Sequence, residues 1–221
     1  MAIILTTGKE NLLRLILRQL DSNFLLEDDD AEIVSTFLDS AIAVCEENFL
    51  HAPNKYCTVL EGGEKKALFN PYNTVQYMVF LYSLAHLIYK QEGGLPVCDK
   101  LYCLNKMLNG VDLFYAIELP EHFYAEHPLG SVMGRAKYGD GFVFYQGCTV
   151  GGTVDKNANG IVYPILGDDV WMFANTSILG NCRIGNHVRI GAGAIVKNQN
   201  VPDDSLVFGQ SPNLIIKSLR K

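Results

Sequence analysis

The feature that most constrains this fold is an apolar side chain at every sixth position in the second half of the chain. The positions are Leu166, Met172, Ile178, Ile184, Ile190 and Val196. A period of six matches neither the 3.6-residue period of an α-helix nor the two-residue period of a single strand. One short strand and one turn per hexad predict a parallel β-helix, in which one side chain per hexad points to the axis.

The same six-residue frame continues upstream, with one interruption. Tyr138, Phe144 and Val150 keep the step, whereas sixteen residues separate Val150 from Leu166, which is one hexad plus ten inserted residues. We therefore expect residues 152–165 to form a loop that leaves the regular stack. Glycines that follow the apolar position suit tight turns, because glycine adopts positive φ without strain.

The first half of the chain has a different composition and period. Only 6 of the 20 glycines lie in residues 1–110, and apolar side chains there recur at helical spacing. We predict helices over residues 9–20, 31–49, 74–90 and 98–108, and the third is apolar nearly all round, which predicts burial. The chain is thus expected to be an α+β protein. Its parts would be a helical domain (1–111), a β-helix (112–213, with the inserted loop) and a basic tail (214–221).

Composition excludes several classes of function. The formal net charge of −6 and the absence of a basic block before the last few residues argue against a nucleic-acid or anionic-membrane surface. The longest apolar run, residues 75–89, is too short for a membrane span, and we expect no secretory signal and a cytoplasmic location. The six cysteines show no metal-ligand spacing, so we expect no metal. Cys148 and Cys182 fall in the inward column and are interpreted as core residues.

Four segments carry a resemblance to a known family. They are the hexads, the stretch Glu126-His-Pro-Leu-Gly130, the run Gln146-Gly-Cys-Thr-Val-Gly-Gly-Thr153 and the closing segment 208–216. Together they resemble serine acetyltransferases and, more broadly, the hexapeptide-repeat acyl-CoA transferases. The resemblance covers about residues 112–216. It implies a left-handed β-helix, acetyl-CoA as co-substrate and a homotrimer, with the pairing of two trimers left open.

The resemblance implies that His127 is the general base, since the family's base is a histidine inside Asp-His-x-x-Gly. An imidazole that titrates near neutrality suits the removal of a hydroxyl proton during attack on a thioester. The family also has an aspartate that orients this histidine. Glu118 is the corresponding residue by shortened spacing, Glu121 is the alternative, and His122 is expected to play a supporting role at most.

Acceptor binding is expected at Glu126 and Tyr163. Here the chain departs from the family pattern, because Val162-Tyr163-Pro164 stands where serine acetyltransferases have Arg-His-Pro. The arginine of that motif pairs with the carboxylate of serine. The acceptor is therefore predicted to be either serine or a sugar hydroxyl of a surface polysaccharide or its precursor, on which Tyr163 could stack.

The family's coenzyme-contacting positions correspond to Gly152, Ala174 and Ala192, where small side chains leave the backbone accessible. Cations for the 3′-phosphate are expected from Lys197 or from the tail residues Lys217, Arg220 and Lys221. The prediction is an acetyl-CoA-dependent O-acetyltransferase. The alternative is a β-helix that binds a coenzyme or a partner without catalysis.

Overall fold

The computed structural model describes residues 3–155 and 160–219, and the chain divides into two compact units between Asn109 and Gly110. Within the described residues, no helix is both long enough and apolar enough to cross a bilayer.

Helices dominate the first unit, as predicted. Its described part contains α1 (Lys9–Asn23), α2 (Asp30–His51), α3 (Thr74–Glu92) and α4 (Pro96–Asn109). Helix α3 begins where the Asn73 side chain accepts hydrogen bonds from the N–H groups of Val75 and Gln76, and it ends at Gly93, whose φ is 83°. Every residue from 75 to 85 is buried, which confirms the prediction of a helix that is apolar nearly all round.

The first unit also contains a small sheet, which was not predicted from the sequence. A three-stranded sheet, in the order β1-β3-β2, consists of β1 (Ile4–Leu5), β2 (Thr58–Glu61) and β3 (Glu64–Phe69). Its hairpin turns at Gly62 and Gly63, both with positive φ. Strand β3 reads Glu-Lys-Lys-Ala-Leu-Phe and lacks the alternation that identifies a strand.

The second unit is a parallel β-helix of about five turns with three faces. The first face consists of β4 (Asp112–Leu113), β6 (Val132–Met133), β8 (Thr149–Gly151), β13 (Ser177–Leu179) and β16 (Ile195–Lys197). The second face consists of β5 (Phe123–Glu126), β7 (Phe142–Tyr145), β12 (Trp171–Met172), β15 (Arg189–Ile190) and β17 (Ser205–Phe208). The third face consists of β11 (Ile165–Leu166) and β14 (Arg183–Ile184), with single bridges to Lys137 and Val201.

Strand register confirms the hexads. Ile178 pairs with Val196, and Met172 pairs with Ile190, so one coil takes eighteen residues, or three hexads. All six residues of the apolar column are buried, with exposed fractions of 4% or less. Cys148 and Cys182 are buried as well, as expected of core residues.

Two segments differ in detail from the expectation. The insertion is a hairpin rather than a loop, because β9 (Thr153–Asp155) pairs antiparallel with β10 (Gly160–Val162). The basic tail begins as a strand, β18 (Ile215–Ser218), which pairs antiparallel with β17. All three strands, β9, β10 and β18, are exposed or half-buried, so none has the buried apolar column by which the hexads were recognised.

Glycine is required where successive coils approach most closely. A β-carbon on Gly139 would lie 2.3 Å from the carbonyl carbon of Gly167, and one on Gly167 would lie 2.9 Å from the carbonyl carbon of Gly185. These glycines form a column along one corner of the prism. The glycine enrichment after residue 110 thus has a steric cause.

Candidate functional site on two edges of the β-helix

One edge of the prism, where the second face meets the first, carries His127. Backbone hydrogen bonds stack its successive turns: Gly147 N–H donates to Leu129 O, Asn175 N–H to Gln146 O, and Gly193 N–H to Ala174 O. We call residues 127–130, 146–148, 173–176 and 191–194 the His127 edge. Ala174 and Ala192 therefore lie on the same edge as His127, two and three coils further along.

A second edge, where the first face meets the third, carries Tyr163. We call residues 134–136, 151–152, 163–164, 179–181 and 197–199 the Tyr163 edge. Gly134 N–H donates to Val150 O, Gly180 N–H to Gly151 O, and Asn198 N–H to Leu179 O. Gly152 and Lys197 therefore share this edge with the hairpin that ends at Tyr163.

The predicted site residues are thus divided between opposite ends of the first face. In the third coil, Asn175 and Gly180 mark the two edges, and five residues of extended chain span on the order of 15 Å. A single β-helix places His127 with Ala174 and Ala192, and it places Tyr163 with Gly152 and Lys197. It does not bring the two groups together.

His127 occupies a turn that leaves its side chain exposed. The residue follows β5, has a φ of 50°, and precedes the buried Pro128. Its carbonyl oxygen accepts the N–H of Leu129 at 2.7 Å. Few non-glycine residues adopt such a φ, so the backbone fixes the position of the imidazole at the edge of the prism.

Glu126, the last residue of β5, lies in register with Tyr145. Burial, together with the negative charge of Glu126, raises the pKa of the Tyr145 phenol. Tyr145 packs against Phe173 of the next coil, with ring centroids 5.3 Å apart. Glu126 is therefore a half-buried carboxylate beside an aromatic surface, next to His127 in the chain.

The proposed orienting carboxylates belong to the segment that precedes β5. Glu118 and Glu121 are both exposed in the stretch between β4 and β5. The role of either residue toward His127 remains a prediction.

A histidine–aspartate pair that sequence reasoning missed lies on the third edge, where the third face meets the second (residues 138–141, 167–170, 185–188 and 203–204). The Nδ1 atom of His122 is 2.8 Å from Oδ2 of Asp140, and the backbone N–H of His122 donates to Oδ1 at 3.0 Å. Burial alone would raise the pKa of Asp140, but the hydrogen bonds and the charge of His122 outweigh it and lower that pKa. Eighteen residues, the length of one coil, separate the two, and that spacing is the signal that could have paired them.

Gly152 and Tyr163 are in direct contact. A β-carbon at residue 152 would lie 2.7 Å from Cε1 of Tyr163 and 2.5 Å from Cγ2 of Ile161. The Tyr163 ring also lines a cleft of about 350 Å³ with Pro164, Arg135 and Lys137. The residue predicted to contact coenzyme and the residue predicted to contact acceptor are therefore neighbours on the Tyr163 edge.

The predicted phosphate-binding cations have mixed placements. Lys197 is exposed at the end of β16, and its backbone N–H donates to Oγ of Ser211 at 2.9 Å. Lys217 is exposed on β18. Arg220 and Lys221 lie outside the described residues.

Comparisons with known proteins agree with this architecture. The family model described as bacterial transferase hexapeptide (six repeats) matches residues 163–198. The matched residues lie within the parallel β-helix of the second unit, where the chain is similar to the hexapeptide-repeat class of transferases.

Within that class it is similar to serine acetyltransferases. A serine acetyltransferase of Synechococcus elongatus is 37% identical over 137 residues, which cover 61% of this chain and 54% of the relative. One of Staphylococcus aureus is 30% identical over 142 residues, or 64% of either chain. The chain therefore spans less than two thirds of the length of these curated relatives.

Solved structures extend the likeness in fold to the first unit. A serine acetyltransferase of Neisseria gonorrhoeae superposes with a TM-score of 0.67 at 25% identity, over 86% of this chain and 72% of that one. The coenzyme A complex of the Brucella abortus enzyme superposes with a TM-score of 0.68 over 96% of this chain and 83% of that one. At 20% identity, the second match supports the fold alone.

Proposed function

We propose that the protein is an O-acetyltransferase that moves the acetyl group of acetyl-CoA to the hydroxyl of a small acceptor. The observation that carries this proposal is the alignment of exposed His127 with Ala174 and Ala192 along one edge. A hydroxyl nucleophile requires a base such as His127. An extended thioester requires a stretch of accessible backbone beyond that base, which the small side chains of Ala174 and Ala192 leave open. The similarity to proteins named serine acetyltransferases supports the same reaction.

In the proposed mechanism, His127 removes the acceptor's hydroxyl proton as the oxygen attacks the thioester carbonyl. The tetrahedral intermediate collapses with cleavage of the carbon–sulfur bond, and the imidazolium returns its proton to the departing sulfur. The products are the O-acetyl ester and free coenzyme A, so the protons balance. Glu118, or Glu121 in its place, would orient the imidazole and stabilise its charged form.

The split between the two edges supports a site shared by neighbouring copies. In a homotrimer built on a threefold axis, the His127 edge of one copy can face the Tyr163 edge of the next. Gly152 and Lys197 would then complete the coenzyme groove, while Glu126 and Tyr163 would contact the acceptor. Because acetyl-CoA is made and used inside cells, the proposed location is the cytoplasm.

The acceptor is proposed to be serine, in keeping with the relatives' names, and a sugar hydroxyl is the second option. That option rests on Tyr163, a residue that is 37% exposed and whose ring can stack on a sugar. The experiment measures coenzyme A release with acetyl-CoA and a panel of serine and saccharide acceptors, and it identifies the ester by mass spectrometry. Coenzyme A binding without acetyl transfer to any acceptor would favour the non-catalytic alternative.

The shared site has its own test by complementation. His127→Asn and Gly152→Val, each expected to be inactive, are co-expressed with different tags, and mixed oligomers are purified. A site that needs one residue from each of two copies should regain about a third of wild-type activity in the purified mixed trimers, because one of their three sites is then intact. No recovery in confirmed mixed oligomers would contradict a shared site.

A further inference from the structure

We infer that Arg135 and Lys137, together with Tyr163, form an anion-binding site that recognises a carboxylate or phosphate group of one of the two substrates. The substrate assignment rests on the proposed function. The binding site itself rests on the cleft of about 350 Å³ that these side chains line with Ala136, Pro164 and Ile165.

The charge of the cleft is one-sided. Two of its six lining residues are cations, and none is acidic. Both Arg135 and Lys137 are exposed, and neither forms an ion pair with any residue in the described ranges 3–155 and 160–219. Two neighbouring cations without a protein carboxylate repel each other, and a bound anion would relieve that repulsion.

The backbone around the cleft is held firmly. Lys137 N–H donates to Pro164 O at 3.0 Å, and Leu166 N–H donates to Lys137 O at 2.8 Å. Just before Arg135, Gly134 N–H donates to Val150 O at 2.8 Å. The segment that carries both cations is therefore anchored at each end to the following coil, which reduces the ordering cost of binding a ligand.

The chemistry of the lining specifies a small organic anion. A guanidinium group can bind a carboxylate or phosphate through two parallel hydrogen bonds, and an ammonium group adds a point charge. The Tyr163 hydroxyl makes no hydrogen bond within the described part of the chain and can donate another. The ring of Tyr163 and the buried Pro164 supply an apolar wall for the carbon skeleton.

The site also contains a guanidinium group, which residues 162–164 lack. Val162-Tyr163-Pro164 contains no arginine, and the adjacent residues in the sequence do not supply one. The coil places Arg135, which is 28 residues earlier than Tyr163 in the sequence, in the same cleft. We therefore assign to Arg135 a role in the choice of an acidic substrate.

Calorimetric titration of the full-length protein with inorganic phosphate tests the site without reference to activity. Arg135→Gln and Lys137→Gln should each weaken phosphate binding by on the order of tenfold, the size expected for one charged hydrogen bond. Arg183→Gln is the matched control, because this exposed arginine lies on the same face outside the cleft. Equal phosphate binding by the wild type and the Arg135→Gln/Lys137→Gln double variant would overturn the inference.

Kinetics then identify the source of the anion. If it is the acceptor's carboxylate, Arg135→Gln should raise KM for L-serine on the order of tenfold and leave KM for L-serinamide unchanged. If it is the 3′-phosphate of the coenzyme, Arg135→Gln should raise KM for acetyl-CoA on the order of tenfold and leave KM for 3′-dephospho-acetyl-CoA unchanged. Equal effects on both members of each pair would overturn the substrate assignment. A wild type that acetylates no acceptor contradicts the proposed function instead, and the phosphate titration still decides the site.

Discussion

The ring of Tyr163 lies against the α-carbon of Gly152, so close that a β-carbon on this glycine would come within 2.7 Å of the ring. This contact fixes the base of the β9–β10 hairpin on the Tyr163 edge. It links the inserted segment, which departs from the hexad pattern, to Gly152, one of the residues proposed to contact the coenzyme.

Gly152→Ala should therefore disturb substrate binding more than folding. The new methyl group would displace Tyr163 and Ile161, both exposed, and the coil behind them would stay intact. We expect at least a tenfold loss in kcat/KM, with a thermal midpoint within a few degrees of the wild type. Gly151→Ala is the matched control, because its β-carbon would meet only Leu179, at 3.8 Å. Equal activity of the two variants would contradict this role of the contact.

Gly139→Ala should have the opposite profile and destabilise the β-helix. Its β-carbon would lie 2.3 Å from backbone atoms of Gly167, and neither backbone can move without breaking the coil. We expect a loss of about 2 kcal/mol or more in the free energy of unfolding, measured with denaturant. Wild-type stability of this variant would show that the coils can separate at this corner.

Ala192→Tyr should weaken coenzyme A binding. The residue is exposed on the His127 edge, one turn beyond Ala174, and a large ring there would cover the proposed track for the coenzyme arm. A rise of tenfold or more in the Kd of coenzyme A is expected by calorimetry, whereas Ala192→Gly, which keeps the track open, should bind like the wild type. Tight binding to Ala192→Tyr would place the coenzyme elsewhere.

Stability should fall in acid because Asp140 and Asp169, both on the third edge, have lowered pKa values. Oδ2 of Asp169 accepts hydrogen bonds from Arg189 at 2.7 Å and His187 at 3.1 Å, and Oδ1 accepts one from Trp171 at 2.8 Å. Burial alone would raise the pKa of Asp169, and these partners outweigh it. For a lowered pKa, the stabilisation is present above the unfolded-state value of about 3.9 and is lost as the pH falls through the folded-state value.

The thermal midpoint of the wild type should therefore drop steeply below about pH 4. Asp169→Asn should be less stable at pH 7 and should show a shallower decline in acid. Asparagine suits this position because it tolerates the positive φ of 53°. Parallel pH profiles for the two proteins would contradict the coupling.

The sequence predicted the β-helix well because its core has a period of six with no exception over six hexads. Helices α1 to α4 were also predicted from a period, because their apolar residues recur at helical spacing along one face or around the whole helix. Strands β3 and β18 could not be recognised, because neither Glu-Lys-Lys-Ala-Leu-Phe nor Ile-Ile-Lys-Ser alternates apolar and polar residues.

The site was predictable only in part. His127 lies in the motif Glu126-His-Pro-Leu-Gly130, so its immediate neighbours in the sequence identify it. The neighbourhood of Tyr163 is formed by coil stacking, which brings Arg135 and Lys137, 28 and 26 residues earlier in the sequence, beside the hairpin. The pairing of His122 with Asp140 has the same origin. Such contacts depend on the length of a coil, so they join residues that are not adjacent in the sequence. The division of the site between two edges follows from the three-sided geometry of the β-helix.

The central claim is that His127 is the base, and steady-state kinetics of His127→Asn test it most directly. Asparagine accepts the left-handed backbone at this position, where φ is 50°, so folding should be preserved. His187→Asn is the control, since His187 is also exposed and has a φ of 55° on another edge.

We predict a loss in kcat of on the order of a hundredfold to ten-thousandfold for His127→Asn, with coenzyme A affinity retained. The His187→Asn protein should turn over acetyl-CoA like the wild type. Turnover by His127→Asn at the rate of this control would contradict the account.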